Sequence, residues 1–375
     1  MKTYIVIGAG ILGASAAYHL AKEGKNVTII DRGEPGQATD AAAGIICPWL
    51  TQRRNKAWYF LAKNGAAFYP SLIKQLEEDG EMETGYQRVG AVSLHYDHEK
   101  LAKMEERAAV RREDAPEIGE IRQLDQQETN ELFPPLSDDY SSVHVAGGAR
   151  VNGRLLRDAL LNAAQKHGAS MVNGDAEIEY TCGKVTGVRA GDTKYEADSI
   201  ILTAGAWAPE LLEPLGMKLN ITPQKAQIIH LMLEDTETGS WPVVMPPNNQ
   251  YILAFDGGRI VIGATHEDEQ GFDRRPTLGG MHEIIDKGLS VAPGLANATY
   301  LETKVGFRPV APNFLPIIGA VPGYENLFLA NGLGASGLTV GPYLGVQLAK
   351  LAAGEDIELD LEQYDVSAAI SDDIS

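Results

Sequence analysis

Tyr4-Ile5-Val6-Ile7-Gly8-Ala9-Gly10-Ile11-Leu12-Gly13 is the stretch whose reading decides the fold. Tyr4 to Ile7 is an apolar, β-branched run of the kind a strand buried on both faces requires, and it leads straight into a glycine turn. Ala14 to Lys22 contains no proline or glycine and predicts a helix, which Gly24 ends. A second apolar run, Val27-Thr28-Ile29-Ile30, closes on Asp31. This order of strand, turn, helix and strand predicts a dinucleotide site. Gly8 permits the tight turn, Gly10 lets backbone approach a pyrophosphate, and Gly13 lets the helix pack on the strand. The phosphates are expected at the helix N-terminus, where free N–H groups and the positive dipole end face the anion. Asp31, 18 residues beyond Gly13, is placed to accept from ribose hydroxyls. The unit serves NAD and FAD alike, so by itself it leaves that choice open.

The chain is 375 residues long, 44% hydrophobic and 22% charged, enough for two domains with a real core. A net charge of -19 argues against nucleic acid or an anionic membrane as partner, since both need basic patches. Cys47 and Cys182 match no metal-ligand or redox spacing and read as buried or idle thiols. A strand that starts near residue 3 leaves no room for a signal peptide, and no apolar run has the length of a membrane span. A cytoplasmic protein is expected, with peripheral membrane association and homo-oligomer formation left open.

Further along, Thr39-Asp40-Ala41-Ala42-Ala43-Gly44-Ile45-Ile46 is a run of small residues. It either lets backbone approach something flat and large, with the Thr39 hydroxyl offered to a phosphate, or it starts a helix capped by Thr39 or Asp40. Trp49 to Gly80 is mostly helical in pattern, Arg88 to Leu94 reads as one strand, and His98 to Asp114 as a charged, solvated helix. Leu155 to His167 is amphipathic. Ser199-Ile200-Ile201-Leu202 runs into Thr203-Ala204-Gly205-Ala206-Trp207, a second turn of small residues after a strand. Ile221 to Leu233 predicts a long strand, and Asp256-Gly257-Gly258 a hairpin between Gln250–Phe255 and Arg259–Ala264. Leu327 to Ala330 predicts a strand before Asn331-Gly332-Leu333-Gly334-Ala335-Ser336-Gly337 and a helix with Pro342 in its first turn. Residues 354–375 read as an acidic peripheral tail.

Taken together and in this order, the fingerprint with Asp31, the alanine run, Thr203 to Trp207, Gln250 to Thr265, Gly306-Phe307-Arg308-Pro309 and Asn331 to Pro342 resemble the FAD-dependent D-amino acid oxidase family. Within it they resemble the glycine oxidase and sarcosine oxidase branch, over nearly the whole chain. The resemblance implies an α/β and α+β architecture: a Rossmann-type FAD-binding domain with a parallel sheet (1–84, 142–216 and 308–375) and an inserted, mainly antiparallel substrate domain (85–141 and 217–307). It implies that Ile11 and Leu12 follow the pyrophosphate turn, that Asp31 and Arg32 take the ribose, and that Thr39, Ala43, Gly44 and Ile45 line phosphate and flavin. Glu177 falls at the adenine, through backbone. Ala204, Gly205 and Trp207 form a further nucleotide contact. Gly332, Leu333, Gly334, Ala335, Ser336, Gly337, Leu338 and Thr339 border the isoalloxazine ring, where the helix dipole would stabilise an anionic reduced flavin. Arg308 matches the arginine that clamps a substrate carboxylate, and Tyr251 a tyrosine that reaches the same carboxylate.

Two positions depart from glycine oxidase: His266 replaces an apolar pocket residue and Ala335 an arginine beside the flavin. Both point away from glycine itself. His266 either selects a polar or acidic side chain or is a satisfied core residue, which is the plainer reading of a lone histidine. No cysteine lies in Asn331 to Gly337 or beside Arg308, so non-covalent FAD is expected. The implied reaction is oxidation of the C–N bond of a small amino acid or secondary amine by hydride transfer, with oxygen or a quinone as final acceptor. A D-amino acid dehydrogenase, an NAD-dependent dehydrogenase and a non-catalytic flavoprotein are the alternatives. No metal site is expected.

Overall fold

The computed structural model describes residues 2–181 and 184–372, so Cys182 lies outside the described residues. The opening stretch forms the strand Thr3–Ile7 and the helix Ile11–Lys22, followed by the strand Asn26–Asp31. Thr3–Ile7 is central in a six-stranded sheet, flanked by Asn26–Asp31 and Ser170–Asn173 on one side and by Ser199–Leu202, Leu327–Asn331 and Ile317–Ala320 on the other. All neighbours run parallel except the Ile317–Ala320 edge. Ile5, Val6 and Ile7 are buried on both faces, as their continuous apolar pattern requires. The carboxyl ends Ile7, Asp31, Leu202 and Asn331 therefore meet at one edge, where open α/β sheets bind ligands.

An eight-stranded sheet is built from the strands between 91 and 145 and between 222 and 310, and it is antiparallel apart from Val243–Met245 against Ala91–His95. Its longest pair, Thr222–Met232 with Thr299–Val310, brings Gln224 opposite Arg308. The hairpin at Asp256-Gly257-Gly258 forms with both glycines at positive φ, 67° and 82°. The fold is thus mixed α/β with one parallel and one mainly antiparallel sheet.

Three local expectations are corrected. Arg88 to Leu94 is not one strand: Tyr86–Arg88 and Ala91–His95 belong to different sheets, and Gly90, at φ 80° with His144 packed where a Cβ would stand, makes the break. Residues 354–372 are no loose tail, because Leu359, Tyr364, Val366 and Ala369 are buried and Ile370–Asp372 pairs with Met217–Leu219. Nor does Pro342 open its helix, which runs Gly337–Ala353 and carries the proline inside. A proline there removes the N–H that would bond the Leu338 carbonyl. The buried Tyr69 hydroxyl donates to that carbonyl at 2.6 Å instead. Tyr69→Phe is therefore expected to cost about 1–3 kcal/mol, the penalty of a buried acceptor left without a donor. A urea unfolding midpoint equal to that of the unaltered protein would refute it.

The first helix also carries a pH-dependent element. His19 Nδ1 donates to the Ser15 carbonyl at 2.7 Å, its Nε2 has no partner, and burial holds the imidazole down to about 4, against 6.5 in an unfolded chain. The neutral form is the one that fits, so stability is full above pH 6.5 and falls as the pH drops toward 4, where the unfolded chain takes up the proton first. The loss amounts to about 2–3 kcal/mol from this residue. His230, also held down to about 4 by burial, has the same sign. Urea midpoints between pH 7 and 4 should decline less steeply in His19→Gln; an unchanged slope would remove His19 from this role.

Candidate functional site

The residues after the parallel strands enclose a cavity of about 680 Å³ that continues to the antiparallel sheet. All the predicted cofactor and substrate residues line it except Gly13, Glu177 and Gly332. Gly13 lies beneath the turn, where a Cβ would collide with the Gly8 carbonyl and the Thr203 hydroxyl. Gly332, at φ 76°, packs against Ala311 and turns the chain into the lining segment. Glu177 adjoins the lining: its strand, Ala176–Thr181, pairs with Lys184–Ala190, its carboxylate meets Arg189, and the lining at that corner is Gly174, Asp175 and Ala176.

At the fingerprint end, Gly8 has φ 99° and a Cβ there would stand 2.7 Å from the Thr203 carbonyl oxygen. Gly10 differs, since a Cβ would meet only Thr39 Oγ1 at an ordinary 3.5 Å. Its bare backbone leaves room on the cavity side for a ligand. The helix that starts at Ile11 has no acid in its own first turn, which leaves its N-terminal N–H groups open to an anion. Asp31 accepts from Ala9 N at 2.6 Å and from Gly33 N at 2.6 Å, which places its carboxylate beside the turn. Arg32 lies against the Trp207 ring and pairs with Glu34, Asp175 and Glu210 at 3.1–3.3 Å.

The alanine run is a lining loop and not a helix. Thr39 Oγ1 accepts from Ile11 N at 3.0 Å, tying the run to the fingerprint, and a Cβ on Gly44 would collide with the Val151 carbonyl. Opposite it, Thr339 Oγ1 donates to the Ile45 carbonyl at 3.0 Å, Trp58 Nε1 donates to Ser336 Oγ at 3.0 Å, and Asn331 Nδ2 donates to the Gly205 carbonyl at 2.8 Å. The three glycine- and alanine-rich segments are thus bonded to one another as one long, flat-walled slot with an anion-binding turn at one end. That shape fits a flavin dinucleotide. Cys47 lines the slot, and burial pushes its thiol up to about 12, so it is no thiolate nucleophile.

The other end of the slot carries Arg308, Tyr251 and His266. Arg308 Nη1 donates to Gln224 Oε1 at 3.2 Å and to the Thr265 carbonyl at 3.4 Å, both neutral. Among the described residues no carboxylate lies within ion-pair distance of it. Tyr251 stands beside it, and burial raises the phenol, which stays a hydrogen-bond donor. His266 is held in place by the paired backbones of Lys225 and Glu267, with N–H···O bonds of 3.0 Å in both directions. Its imidazole is exposed to the cavity without a hydrogen-bond partner among the described residues, so it is not a core histidine. Desolvation by the surrounding slot, and Arg308 after it, lower its pKa below the usual histidine value. Gln224, Trp58, Asn248 and Asn249 belong to this end too and were not foreseen. Their signals, one helical tryptophan and a turn-like Pro-Asn-Asn, are too common to read.

The profile of the FAD dependent oxidoreductase family matches residues 3–351. The Bacillus subtilis (strain 168) oxidoreductase YurR, of uncharacterized activity, is 61% identical over 372 residues, covering 99% of this chain and 100% of that one. The crystal structure of iminodiacetate oxidase from Chelativorans sp. BNC1 is 49% identical and superimposes with a TM-score of 0.93, covering 96% and 98% of the two chains. Glycine oxidase of Pseudomonas aeruginosa is 29% identical, covering 96% of this chain and 97% of its own. Among the described residues no helix is long and apolar enough to cross a membrane. The slot and the family match agree on the cofactor, and this chain belongs to the FAD-dependent oxidoreductases of the D-amino acid oxidase family.

Proposed function

We propose that this protein oxidises the C–N bond of a small amino acid or N-substituted glycine to an imine, which water hydrolyses to a 2-oxo acid and an amine. The observation that carries the reading is Arg308, a guanidinium on the cavity wall with only neutral partners, beside the protonated phenol of Tyr251. A bidentate fork of this kind reads a carboxylate and fixes the adjoining Cα–H in one direction. Bound FAD supplies the two-electron acceptor that takes the hydride from that carbon. The neutral substrate nitrogen donates its lone pair as the hydride leaves, and no strong side-chain base is required. The likeness to iminodiacetate oxidase supports including N-substituted glycines in the substrate class. Electrons then leave the protein to oxygen, with release of peroxide, or to a quinone-type acceptor; oxygen consumption during turnover separates the two.

Product analysis tests the orientation. With N-methylglycine, hydride loss from the carbon beside the carboxylate gives glyoxylate and methylamine. Formaldehyde and glycine as products would place the reaction on the methyl carbon and contradict the clamp.

A further inference from the structure

The two ends of the slot differ in charge. The carboxylates that line it are Asp31, Glu34, Asp175 and Glu210, and they gather around the fingerprint and Arg32. Around Arg308 the lining among the described residues includes the donors Asn248, Asn249, Tyr251 and His266 and no carboxylate, while Asp268 and Glu283 lie behind it, engaged by Gln224 and Lys287. Asn248 Oδ1 accepts from Gln250 N at 2.8 Å, and Asn249 Oδ1 accepts from Lys287 Nζ at 3.0 Å. A backbone N–H and an ammonium can only donate, so both amide oxygens are committed and each amide presents its NH₂ elsewhere. Among the described residues neither NH₂ has an acceptor, and His266 has no partner. Lys287 is itself fixed by Glu283 at 2.7 Å, which holds it against Asn249.

Asn248, Asn249 and His266 line the same slot as Arg308 from its exposed side, and three uncommitted donors in addition to the guanidinium are more than one carboxylate uses. We propose that Asn248, Asn249 and His266 form a second carboxylate subsite, so that the preferred substrates are N-substituted glycines whose substituent ends in a further carboxylate. The proposal rests on the reading of Arg308 and Tyr251 as the clamp for the first carboxylate. Lys287 is a positioning residue: it turns Asn249 so that the amide nitrogen faces the ligand. Hydrogen bonds from neutral donors to an anion are stronger than those to a neutral group, which gives the second carboxylate its selectivity.

Two unreactive ether acids test this on the flavin-loaded protein. Diglycolate carries two carboxylates; methoxyacetate is the same chain with one. Their dissociation constants are read from the perturbation of the flavin visible spectrum. Diglycolate is expected to bind about tenfold to a hundredfold more tightly, the worth of one or two hydrogen bonds to a charged group. In Asn249→Asp, and separately in His266→Leu, the ratio should fall to near one. A ratio near one in the unaltered protein, or a ratio preserved in both variants, would overturn the subsite. Anaerobic addition of iminodiacetate, the amine counterpart of diglycolate, to the same preparations forms a separate arm. Bleaching without diglycolate preference removes the subsite and leaves amine oxidation standing. Diglycolate preference that the variants abolish, without bleaching, keeps the subsite and removes amine oxidation.

Discussion

Arg308→Ala is expected to lower kcat/KM for carboxylate-bearing amines by the equivalent of about 2–5 kcal/mol, roughly 30-fold to several-thousand-fold, as removing one partner of a buried charged pair does. The loss should exceed that of a surface arginine because Arg308 projects into the slot and its protein partners, Gln224 and the Thr265 carbonyl, are neutral. Its charge is matched by nothing else nearby among the described residues, so the substrate carboxylate is what the substitution leaves unpaired. Folding should be little affected. Arg308→Lys keeps the charge but not the planar fork and should fall between the two. Steady-state kinetics with one carboxylate amine decide the matter, and unchanged values would remove Arg308 from the site.

Gly13→Ala should strip the protein of flavin. The added methyl would collide with the Gly8 carbonyl and Thr203 hydroxyl, so the helix must back away from the strand and take its N-terminus with it. Such overpacking costs about 1–3 kcal/mol, and at a cofactor turn the same strain weakens retention by up to about a hundredfold. The ratio of visible flavin absorbance to protein absorbance after purification measures it. Gly279→Ala is the control, since nothing stands within 4 Å of a Cβ there. Equal flavin content in Gly13→Ala would show that the close helix–strand approach is dispensable.

What the sequence made legible follows from locality. Gly8 to Gly13, the alanine run and Asn331 to Thr339 each carry their pattern in consecutive residues, and each contributes residues to the lining of the slot. What escaped depends on partners far along the chain. Pro342 looked like a helix start because nothing near it announces Tyr69, whose hydroxyl lets the helix continue through the proline. The tail looked loose because its buried residues are single and scattered, and their pairing partner is Met217–Leu219. Asn248 and Asn249 read as turn residues. Their donor character exists only because Gln250 N and Lys287 Nζ consume the amide oxygens, and the second of these comes from the helix Leu278–Val291. His266 could not be assigned from sequence for the same reason: whether it faces core or cavity depends on the register of Lys225 against Glu267.

The central claim is that a carboxylate-bearing amine gives up a hydride in this slot. Anaerobic mixing of the flavin-loaded protein with glycine, N-methylglycine, iminodiacetate, proline and D-amino acids tests it most directly, with the flavin visible band as readout. Rapid bleaching by at least one of these, lost in Arg308→Ala, is the predicted result. A flavin that dithionite reduces but that none of these amines bleaches would contradict the account.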